Sequence, residues 1–298
     1  MPEEMLKVAV TVATRDRPEG CRRLVERLLD QEVPDSWEMR VVVVDNDPQG
    51  SELQLPYDQR LEVLHEPDPG IPFARNRGVE RVLPWADVIC FIDDDESPGG
   101  SWLRDLVSGL ERYGADVVSG PVRPVFEPNT PRWLTEHPVF TRPGRQPGAD
   151  LRETYTANTA VRANVFRSGL RFDSEFHNTG GSDTHLFRQA HRGGARIRWV
   201  AEAMIDEYVP PERARVRWVL ARSFRIGANR VQFLRAGAAS GRPTAMLIGG
   251  SAGELLLGLG APLVAAFSRK HALAMLGRAA RGLGTFSALL GVRYAAYR

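Results

Sequence analysis

Cysteine is scarce in this 298-residue chain, and so is lysine, which occurs only at positions 7 and 270. The two cysteines, Cys21 and Cys90, lie in separate apolar segments. They form neither a metal-ligand spacing nor a disulfide framework, which excludes both classes of cysteine-dependent protein and predicts a reducing compartment. The first ten residues also lack a basic segment followed by a long apolar run. We therefore expect no secretory signal peptide and a cytoplasmic protein.

Acidic residues are scarce at the C-terminal end, where Glu254 is the only one after Glu212. Residues 1–200 hold 25 Lys+Arg and 32 Asp+Glu, a charge of −7, whereas residues 201–298 hold 14 and 5, a charge of +9. A basic end on an acidic body predicts an anionic partner, such as nucleic acid or a lipid headgroup surface. A solvated basic face is the alternative interpretation.

Apolar runs alternate with amphipathic segments over about the first 120 residues. The run at 39–46 is continuous and β-branched, as in a strand that is buried on both faces of a parallel sheet. Alternation of this kind predicts an α/β protein with a doubly wound, mostly parallel, Rossmann-like sheet. The predicted strands are 7–13, 39–46, 61–66, 87–92, one beginning at 115, 154–161 and 196–209; the predicted helices are 18–31, 72–84, 101–114 (with Ser101 as its N-cap) and 183–194.

Three polar clusters follow predicted strands: "TRDRP" after the first, "DNDPQG" after the second and "DDDES" after the fourth. In a doubly wound sheet the ligand crevice lies at the carboxyl ends of the strands. The three clusters are therefore predicted to meet at one edge of the sheet, which is the first functional signal in the chain.

The third cluster packs four carboxylates, Asp93 to Glu96, directly behind an apolar strand. If the chain stays extended past Ile92, Asp93 and Asp95 share one face while Asp94 and Glu96 share the other. Mg²⁺ and Mn²⁺ are commonly held by one or two carboxylates while a substrate diphosphate completes the shell. Since no basic side chain adjoins the cluster in the sequence, we expect its counter-charge to be a cation that arrives with a nucleotide. A solvated acidic loop is the alternative.

The remaining segments predict a long loop and a helical C-terminal part. Residues 127–152 are rich in Pro, Arg and Gly, which predicts a long irregular loop. Residues 245–267 are long enough to span a bilayer, but Glu254 at their middle favours an in-plane or re-entrant segment instead. We accordingly predict a catalytic domain over 1–235 and a basic, helical, membrane-associating region over 236–298. A soluble helical subdomain is the alternative.

A set of motifs in fixed order resembles family 2 glycosyltransferases with the GT-A fold, and in particular bacterial exopolysaccharide glucosyltransferases of the succinoglycan type. The resemblance covers residues 7–230. It rests on the segments "TVATRDRP", "VVVVDND", "EPDPGIPFARNRGV", "FIDDDESPGGSWL", "GPVRPVFE", "TANTAVR", "FHNTGGSDTHLFRQAHRGGARIRWV" and "DEYVPPERARVRWVLARSFRIG".

The resemblance implies roles for individual residues at a nucleotide-sugar site. It implies that Asp95 binds a divalent metal directly, and that Asp93 contacts the ribose or the metal through water. It implies that Asp45 accepts a hydrogen bond from the uracil and that Asn158 lies near the donor sugar. The full set of implied donor-binding residues is Thr11, Ala13, Arg15, Asp45, Arg75, Asn76, Asp93, Asp94 and Asn158.

The resemblance also implies a catalytic base, Asp183. An inverting transfer needs a carboxylate that deprotonates the acceptor hydroxyl as it attacks the anomeric carbon. Related enzymes carry this aspartate in a Gly-Gly-Glu-Asp turn at the start of a helix. Here the turn reads "GGSD", so Asp183 is retained while Ser182 replaces the glutamate. The alternative is that Asp183 only caps its helix.

The resulting expectation is an inverting, metal-dependent hexosyltransferase. It uses Mn²⁺ or Mg²⁺ and moves a sugar from a nucleotide-sugar donor, UDP-hexose, to a glycan or lipid-linked acceptor in polysaccharide biosynthesis. We expect no nucleic-acid partner and a peripheral position on the inner face of the cell membrane. Two alternatives stay open: a sugar-1-phosphate nucleotidyltransferase, whose early Gly-rich basic stretch is missing from "TVATRDRPEG", and a non-catalytic nucleotide-sugar-binding protein.

Overall fold

The computed structural model describes residues 5–141, 144–237 and 244–292. Its strands are β1 (Leu6–Thr14), β2 (Trp37–Asp45), β3 (Leu61–His65), β4 (Val88–Ile92), β5 (Glu96–Pro98), β6 (Val117–Ser119), β7 (Val122–Val125), β8 (Asp150–Leu151), β9 (Asn158–Arg162), β10 (Ile197–Trp199) and β11 (Ile205–Tyr208). Its helices are α1 (Pro18–Leu29), α2 (Ile71–Val82), α3 (Trp102–Arg112), α4 (Arg132–Thr135), α5 (Ala163–Arg167), α6 (Ser182–Arg192), α7 (Val216–Arg235), α8 (Thr244–Leu259), α9 (Ala261–Ala265) and α10 (Arg269–Leu289), with a 3₁₀ turn at Ser174–Phe176.

The main sheet has the order β3-β2-β1-β4-β9-β6-β10-β8. Strands β1, β2, β3 and β4 pair in parallel, as do β6 and β10, whereas β9 runs antiparallel to both of its neighbours. The prediction of a mostly parallel sheet is confirmed. The antiparallel β9 brings Asn158 beside Ile92, so the strand from "TANTAVR" starts next to the carboxylate cluster.

Helices cover both faces of this sheet, and β1 shows why the chain must supply them. Its residues Val8, Val10 and Val12 point into a core that includes apolar residues of α1 and α3. The alternate residue Ala9 belongs to a second core on the other face, which includes residues of α2 and α6. Side chains alternate along a strand, so a run that is apolar at every position has to be buried on two sides. The doubly wound arrangement is thereby confirmed.

Two local predictions differ from the structure. Ser101 precedes α3 but makes no capping hydrogen bond, because its backbone is helical (φ −89°, ψ −2°) instead of extended; its hydroxyl donates to Asp105 over 2.7 Å. The segment 196–209, predicted as one strand, forms β10 in the main sheet and β11 in a second sheet of order β5-β11-β7. A strand propensity spread over 14 residues cannot show that the chain changes sheets halfway, since both halves satisfy the same pattern.

The described chain divides into two compact units. The first comprises Met1–Arg123, Gly144–His177 and Ser182–Glu207, and holds the main sheet. The second comprises Pro124–Pro143, Asn178–Gly181 and Tyr208–Arg298. It includes α7, which the sequence division at residue 235 assigned to the catalytic domain. That division stays a prediction, and residues 238–243 and 293–298 of the predicted membrane-associating region lie outside the described residues.

The second unit is built around close helix contacts. A Cβ on Gly227 of α7 would lie 1.9 Å from the carbonyl of Arg281 in α10, so the two backbones meet at this glycine. Glu254 of α8 forms a two-pronged ion pair with Arg230 of α7, at 2.9 and 3.0 Å. The segment 245–267 is divided between α8 and α9. Among the described helices, none has both the length and the apolar character that a bilayer crossing requires.

Candidate active site

A cleft opens at the carboxyl ends of β1, β2 and β4, where the sequence predicts the ligand crevice. Four residues implied by the family resemblance line it together: Thr11, Ala13, Arg75 and Asp93. The Thr11 hydroxyl is fixed by the neighbouring strand β4, because it donates to the carbonyl of Cys90 over 3.2 Å. The cleft lies within the first unit and combines an apolar floor of strand residues with one guanidinium and one carboxylate.

The four carboxylates that follow β4 lie in a tight turn. The N–H of Glu96 donates to the Asp93 carbonyl over 3.1 Å, so the chain does not stay extended past Ile92. The predicted alternation still holds in the burial of the side chains, since Asp94 and Glu96 are buried while Asp93 and Asp95 are partly exposed. The turn therefore divides the cluster into two inner and two outer carboxyl groups.

Glu96 is the most deeply enclosed of the four. It is 5% exposed, and its carboxylate accepts a hydrogen bond from the N–H of Asp93 over 2.8 Å. Burial raises its pKa well above the usual value, and the neighbouring Asp93 adds to the shift. Glu207 of β11 lies opposite Glu96 in the antiparallel register of β5 and β11. Glu207 thus reaches the carboxylate turn.

Two arginines balance the charge of the cluster. One amino group of Arg17 donates to Asp94 over 2.7 Å and to Asp95 over 3.0 Å. Arg75 donates to Asp93 over 2.9 Å. The expectation that the protein itself supplies no counter-charge was wrong, because both arginines are distant from the cluster in the sequence and reach it only through the fold.

Asp94 is the anchor of this arrangement. One oxygen accepts from Arg17, and the other accepts from the hydroxyl of Thr14 over 2.9 Å. Burial raises the pKa of Asp94 to about 6, while Arg17 opposes the shift. A Cβ on Gly20 of α1 would lie 2.8 Å from the Asp94 carbonyl, so the start of α1 packs directly on the turn. These contacts give Asp94 a structural part, and its contact with the nucleotide stays a prediction.

The donor set of the turn suits a cation that is shared with a substrate. No three His, Cys, Asp or Glu side chains in the described part of the chain gather closely enough to form a cage. Asp93 and Asp95, however, present two hard carboxylate ligands from one turn, which is what Mg²⁺ takes from a protein when phosphates complete its shell. The residues therefore fit a shared metal site and do not fit an all-protein one.

Asp45, at the end of β2, is 4% exposed, and its carboxylate accepts hydrogen bonds from its own loop. The N–H of Asp47 and the hydroxyl of Ser51 both donate to it, at 3.1 and 2.9 Å. Arg15 lies on the neighbouring loop, 3.7 Å from the carboxylate of Asp16. Asp16 adopts a φ of +55°, a left-handed conformation that few residues other than glycine favour. The uracil and nucleotide contacts of Asp45 and Arg15 stay predictions.

The two asparagines of the implied set are committed to backbone groups. Asn76 of α2 donates to the carbonyl of Phe172 and accepts from its N–H, at 2.8 and 2.9 Å. Asn158 is 1% exposed; it donates to the carbonyls of Pro121 and Ala203 and accepts from the indole of Trp102. Both side chains hold segments around the cleft, so their described contacts position the site, and their direct contacts with donor stay predictions.

Asp183 lies in the first turn of α6, after two glycines with positive φ, Gly180 and Gly181. It is partly exposed and accepts a hydrogen bond from the N–H of Thr184 over 2.7 Å. The role of Asp183 as a base stays a prediction. The neighbouring Ser182 is 1% exposed, and its hydroxyl has no partner among the residues that the structure describes.

The helix of Asp183 is tied to the cleft through the 3₁₀ turn. His185 of α6 lies 3.5 Å from Asp173, and its ring is 4.8 Å from that of Phe176. The same segment begins at Phe172, whose backbone is clamped by Asn76 of α2. A continuous set of contacts in the first unit therefore runs from the donor side of the cleft to the start of α6.

Sequence reasoning missed Arg17 as a site residue. The available signal was its place in the cluster "TRDRP", directly before the proline that opens α1. That signal was used to locate the crevice but not to pair the arginine with an aspartate, because the two partners are 77 residues apart.

The chain matches known proteins over most of its length. Residues 9–174 match the model of the family described as Glycosyl transferase family 2. Over 243 residues the chain is 32% identical to the succinoglycan biosynthesis protein ExoM of Rhizobium meliloti, which covers 78% of this chain and 77% of that protein. It is 28% identical over 240 residues to a glucosyl-dolichyl phosphate glucuronosyltransferase of Haloferax volcanii, covering 74% of each.

Among solved structures, S. aureus TarS 1-349 in complex with UDP-GlcNAc superposes with a TM-score of 0.52. The match covers 97% of this chain and 93% of that chain at 16% sequence identity. At that identity the likeness shows the fold alone, and the predicted GT-A fold is confirmed.

Proposed function

The chain belongs to glycosyl transferase family 2 and is a glycosyltransferase, and on that premise we propose that it is an inverting enzyme that moves a hexose from a UDP-sugar to a hydroxyl of a glycan or lipid-linked acceptor. The observation that carries the proposal is the cleft at the carboxyl edge of the sheet, which Arg75 and Asp93 line together. Sugar transfer takes precedence over the nucleotidyltransferase and non-catalytic alternatives, because the matching family model and two relatives that cover about three quarters of this chain carry glycosyltransferase names.

The donor side of the cleft is suited to a nucleoside diphosphate. The Arg75 side chain is 11% exposed, and its guanidinium offers donors that match phosphate oxygens. We assign the nucleotide to the part of the cleft that Thr11 and Ala13 line. Asp45 would contact its uracil, and Asn158 would lie near the donor sugar. The UDP-GlcNAc complex of TarS supports a UDP-sugar as the donor class.

Asp95 and Asp93 are the residues that would hold the Mn²⁺ or Mg²⁺. A divalent cation bound there would neutralise charge on the departing diphosphate. The protein itself orients Asp93, because Arg75 fixes one of its oxygens. It also fixes the turn from beneath, through the buried contacts of Asp94 and Glu96.

We assign the proton transfer to Asp183. Its carboxylate would accept the proton of the acceptor hydroxyl as that oxygen attacks the anomeric carbon. The partial exposure of Asp183 and its fixed place in the first turn of α6 support this role. A lipid-linked or polymeric acceptor is supported by the names of the relatives, a succinoglycan biosynthesis protein and a glucosyl-dolichyl phosphate glucuronosyltransferase.

The experiment is a UDP-release assay with a panel of UDP-sugars, Mn²⁺ or Mg²⁺, and a lipid-linked glycan acceptor. Asp183→Asn should slow transfer by about a hundredfold or more, because a general base contributes on that scale. Binding of UDP should not change. Asp150→Asn, an exposed carboxylate on β8 that pairs with Arg198, is the control and should transfer at the wild-type rate. An Asp183→Asn variant as fast as wild type would remove the assigned base.

Residues 236–298 are the region predicted to contact the membrane. Within it, the exposed surface of α8 and α9 is the candidate for that contact. Leu259, Leu263 and Phe267 are 77%, 77% and 92% exposed, and Arg269 and Lys270 follow them. Apolar side chains beside basic ones suit the interface of an anionic bilayer. We therefore propose that the protein is peripheral on the cytoplasmic face of the cell membrane, with residues 1–235 as its catalytic domain.

Sedimentation with vesicles that contain anionic lipid tests this contact in the full chain. The double variant Leu263→Ser/Phe267→Ser should sediment clearly less than wild type. Tyr57→Ser, which removes a side chain that is 95% exposed in the first unit, should sediment like wild type. Equal partitioning of all three proteins would disprove the contact.

A further inference from the structure

Arg17 forms an ion pair with Asp95, a carboxylate that a divalent cation would need as a ligand. The same amino group bridges Asp94 and Asp95, at 2.7 and 3.0 Å. The family places the metal on Asp95, and nothing in that assignment explains an arginine at the same carboxylate. Arg17 is also absent from the lining of the cleft, so its contacts are with the turn and not with the wall that Arg75 forms.

The position of Arg17 is built into the fold. Its first partner, Asp94, has a side chain that is 8% exposed and is fixed on its other oxygen by Thr14. Gly20 allows the first turn of α1 to pack against the Asp94 carbonyl, which brings the residue before the helix onto the turn. A guanidinium held in this way stays near Asp95, although the Arg17 side chain as a whole is 42% exposed.

A positive charge 3.0 Å from an Asp95 oxygen opposes a second cation at that carboxylate. We propose that Arg17 is a positioning residue that competes with a divalent cation for Asp95, so that the free protein binds the cation weakly and binds it well only together with a nucleoside diphosphate. The inference rests on the proposed function. Its physical basis is that the diphosphate adds negative charge and further oxygen ligands, which offset the competition.

The test measures Mn²⁺ binding to the full-length protein by the loss of the free-ion EPR signal, with and without UDP. Arg17→Gln should raise the Mn²⁺ affinity of the free protein by about two- to fivefold, the scale of a half-exposed ion pair. Wild type should reach a comparable affinity only when UDP is present. If Arg17 only held the turn in place, its removal would weaken Mn²⁺ binding. A gain in Mn²⁺ affinity therefore distinguishes competition from damage to the turn.

Arg22→Gln is the matched control. It removes the same charge from the helix that follows Arg17, but Arg22 pairs with Glu19 and Glu26 and not with the aspartates of the turn. Its Mn²⁺ affinity should stay close to that of wild type. The double variant Arg17→Gln/Asp95→Asn should lose the gain, since the cation would then lack the carboxylate that Arg17 released.

Arg17→Lys covers the case in which the glutamine variant fails to fold. Lysine keeps the positive charge but carries it on a flexible stem with rotatable donors, so the charge is held less firmly beside Asp95 and a smaller gain in affinity than that of Arg17→Gln is expected. Folding of each variant is checked by circular dichroism. Folded variants whose Mn²⁺ affinity does not exceed that of wild type, or a gain that survives Asp95→Asn, would overturn the inference.

The two proposals fail separately. If wild type transfers sugar and Arg17→Gln binds Mn²⁺ no better than wild type, the competition is wrong and the proposed function stands. If Arg17→Gln gains affinity but wild type releases no UDP from any donor, the competition stands and the proposed function is wrong.

Discussion

Arg75 of α2 and Asp93 at the end of β4 form an ion pair, with 2.9 Å between the guanidinium nitrogen and the carboxylate oxygen, and both line the same cleft. The pair places a positive and a negative group side by side where a diphosphate and its cation are expected. Arg75 is also 5.7 Å from the ring of Phe172, which limits the directions its guanidinium can take.

Arg75→Gln should lower the affinity for UDP by about tenfold, because the cleft loses its charge-assisted donor to phosphate. Isothermal titration calorimetry with UDP measures the effect. Arg77→Gln, on the exposed side of the same helix, is the matched control and should bind UDP as wild type does. Equal affinities of the two variants would show that Arg75 serves only to hold Asp93.

Gly181→Ala should lower kcat by about tenfold or more while UDP binding is retained. Gly181 has a φ of +97°, and an added Cβ would lie 3.0 Å from Phe233 and 3.1 Å from Asn229. The turn would have to shift, and Asp183 follows two residues later. Gly194→Ala is the control, since its φ of +95° is similar but the space around it is open. It should lose about 1 kcal/mol of stability and no activity. Matching kcat values in the two variants would contradict the expectation.

Stability of the second unit should fall as the pH drops below the ordinary histidine pKa of 6.5, through His137. Burial lowers the pKa of this side chain, and the nearby Arg281 adds to the shift. Its Nδ1 accepts from the N–H of Val139 over 3.1 Å, a contact that protonation would break. A lowered folded-state pKa gives stability that is complete above the unfolded pKa and is lost as the pH falls through the folded one.

The measurement compares thermal midpoints of wild type and His137→Gln at pH 7.5 and 5.5. The variant should show a smaller drop between the two values. His191→Gln, an exposed histidine in the last turn of α6, should keep the wild-type drop. A His137→Gln profile parallel to that of wild type would mean that another group carries the pH dependence.

Gly227→Ala should destabilise the protein by about 2 kcal/mol, because overpacking forces apart two helices that meet at this glycine. An added Cβ would lie 1.9 Å from the Arg281 carbonyl. Gly253→Ala in α8 meets open space and should instead raise the free energy of unfolding by about 0.5–1 kcal/mol, since alanine favours helix. Chemical denaturation measures the free energy of unfolding of both variants. A Gly227→Ala protein as stable as wild type would show that α7 and α10 can separate without loss of stability.

Several elements of the fold could be predicted because their cause is local. The run "VVVV" at 41–44 is apolar at every position, and a strand buried on both faces accommodates that pattern. In α3, Leu103, Leu106 and Leu110 recur at helical spacing. The helix ends before Gly114, which has a φ of +56°. The predicted cap by Ser101 is absent because this residue already has helical backbone angles, whereas a capping residue is extended.

The doubly wound sheet, the edge at which the polar clusters meet and the family could be predicted from the sequence, because they depend on periodicity and on motifs in order. The contacts of each polar group, in contrast, depend on how the folded chain brings distant segments together. The tertiary structure turned the chain at Asp93, enclosed Glu96, committed the amides of Asn76 and Asn158 to backbone and set Arg17 on Asp94 and Asp95. The physical reason is distance along the chain: hydrophobic periodicity acts over a few residues, whereas an ion pair between positions 17 and 94 exists only after α1 has packed against the end of β4.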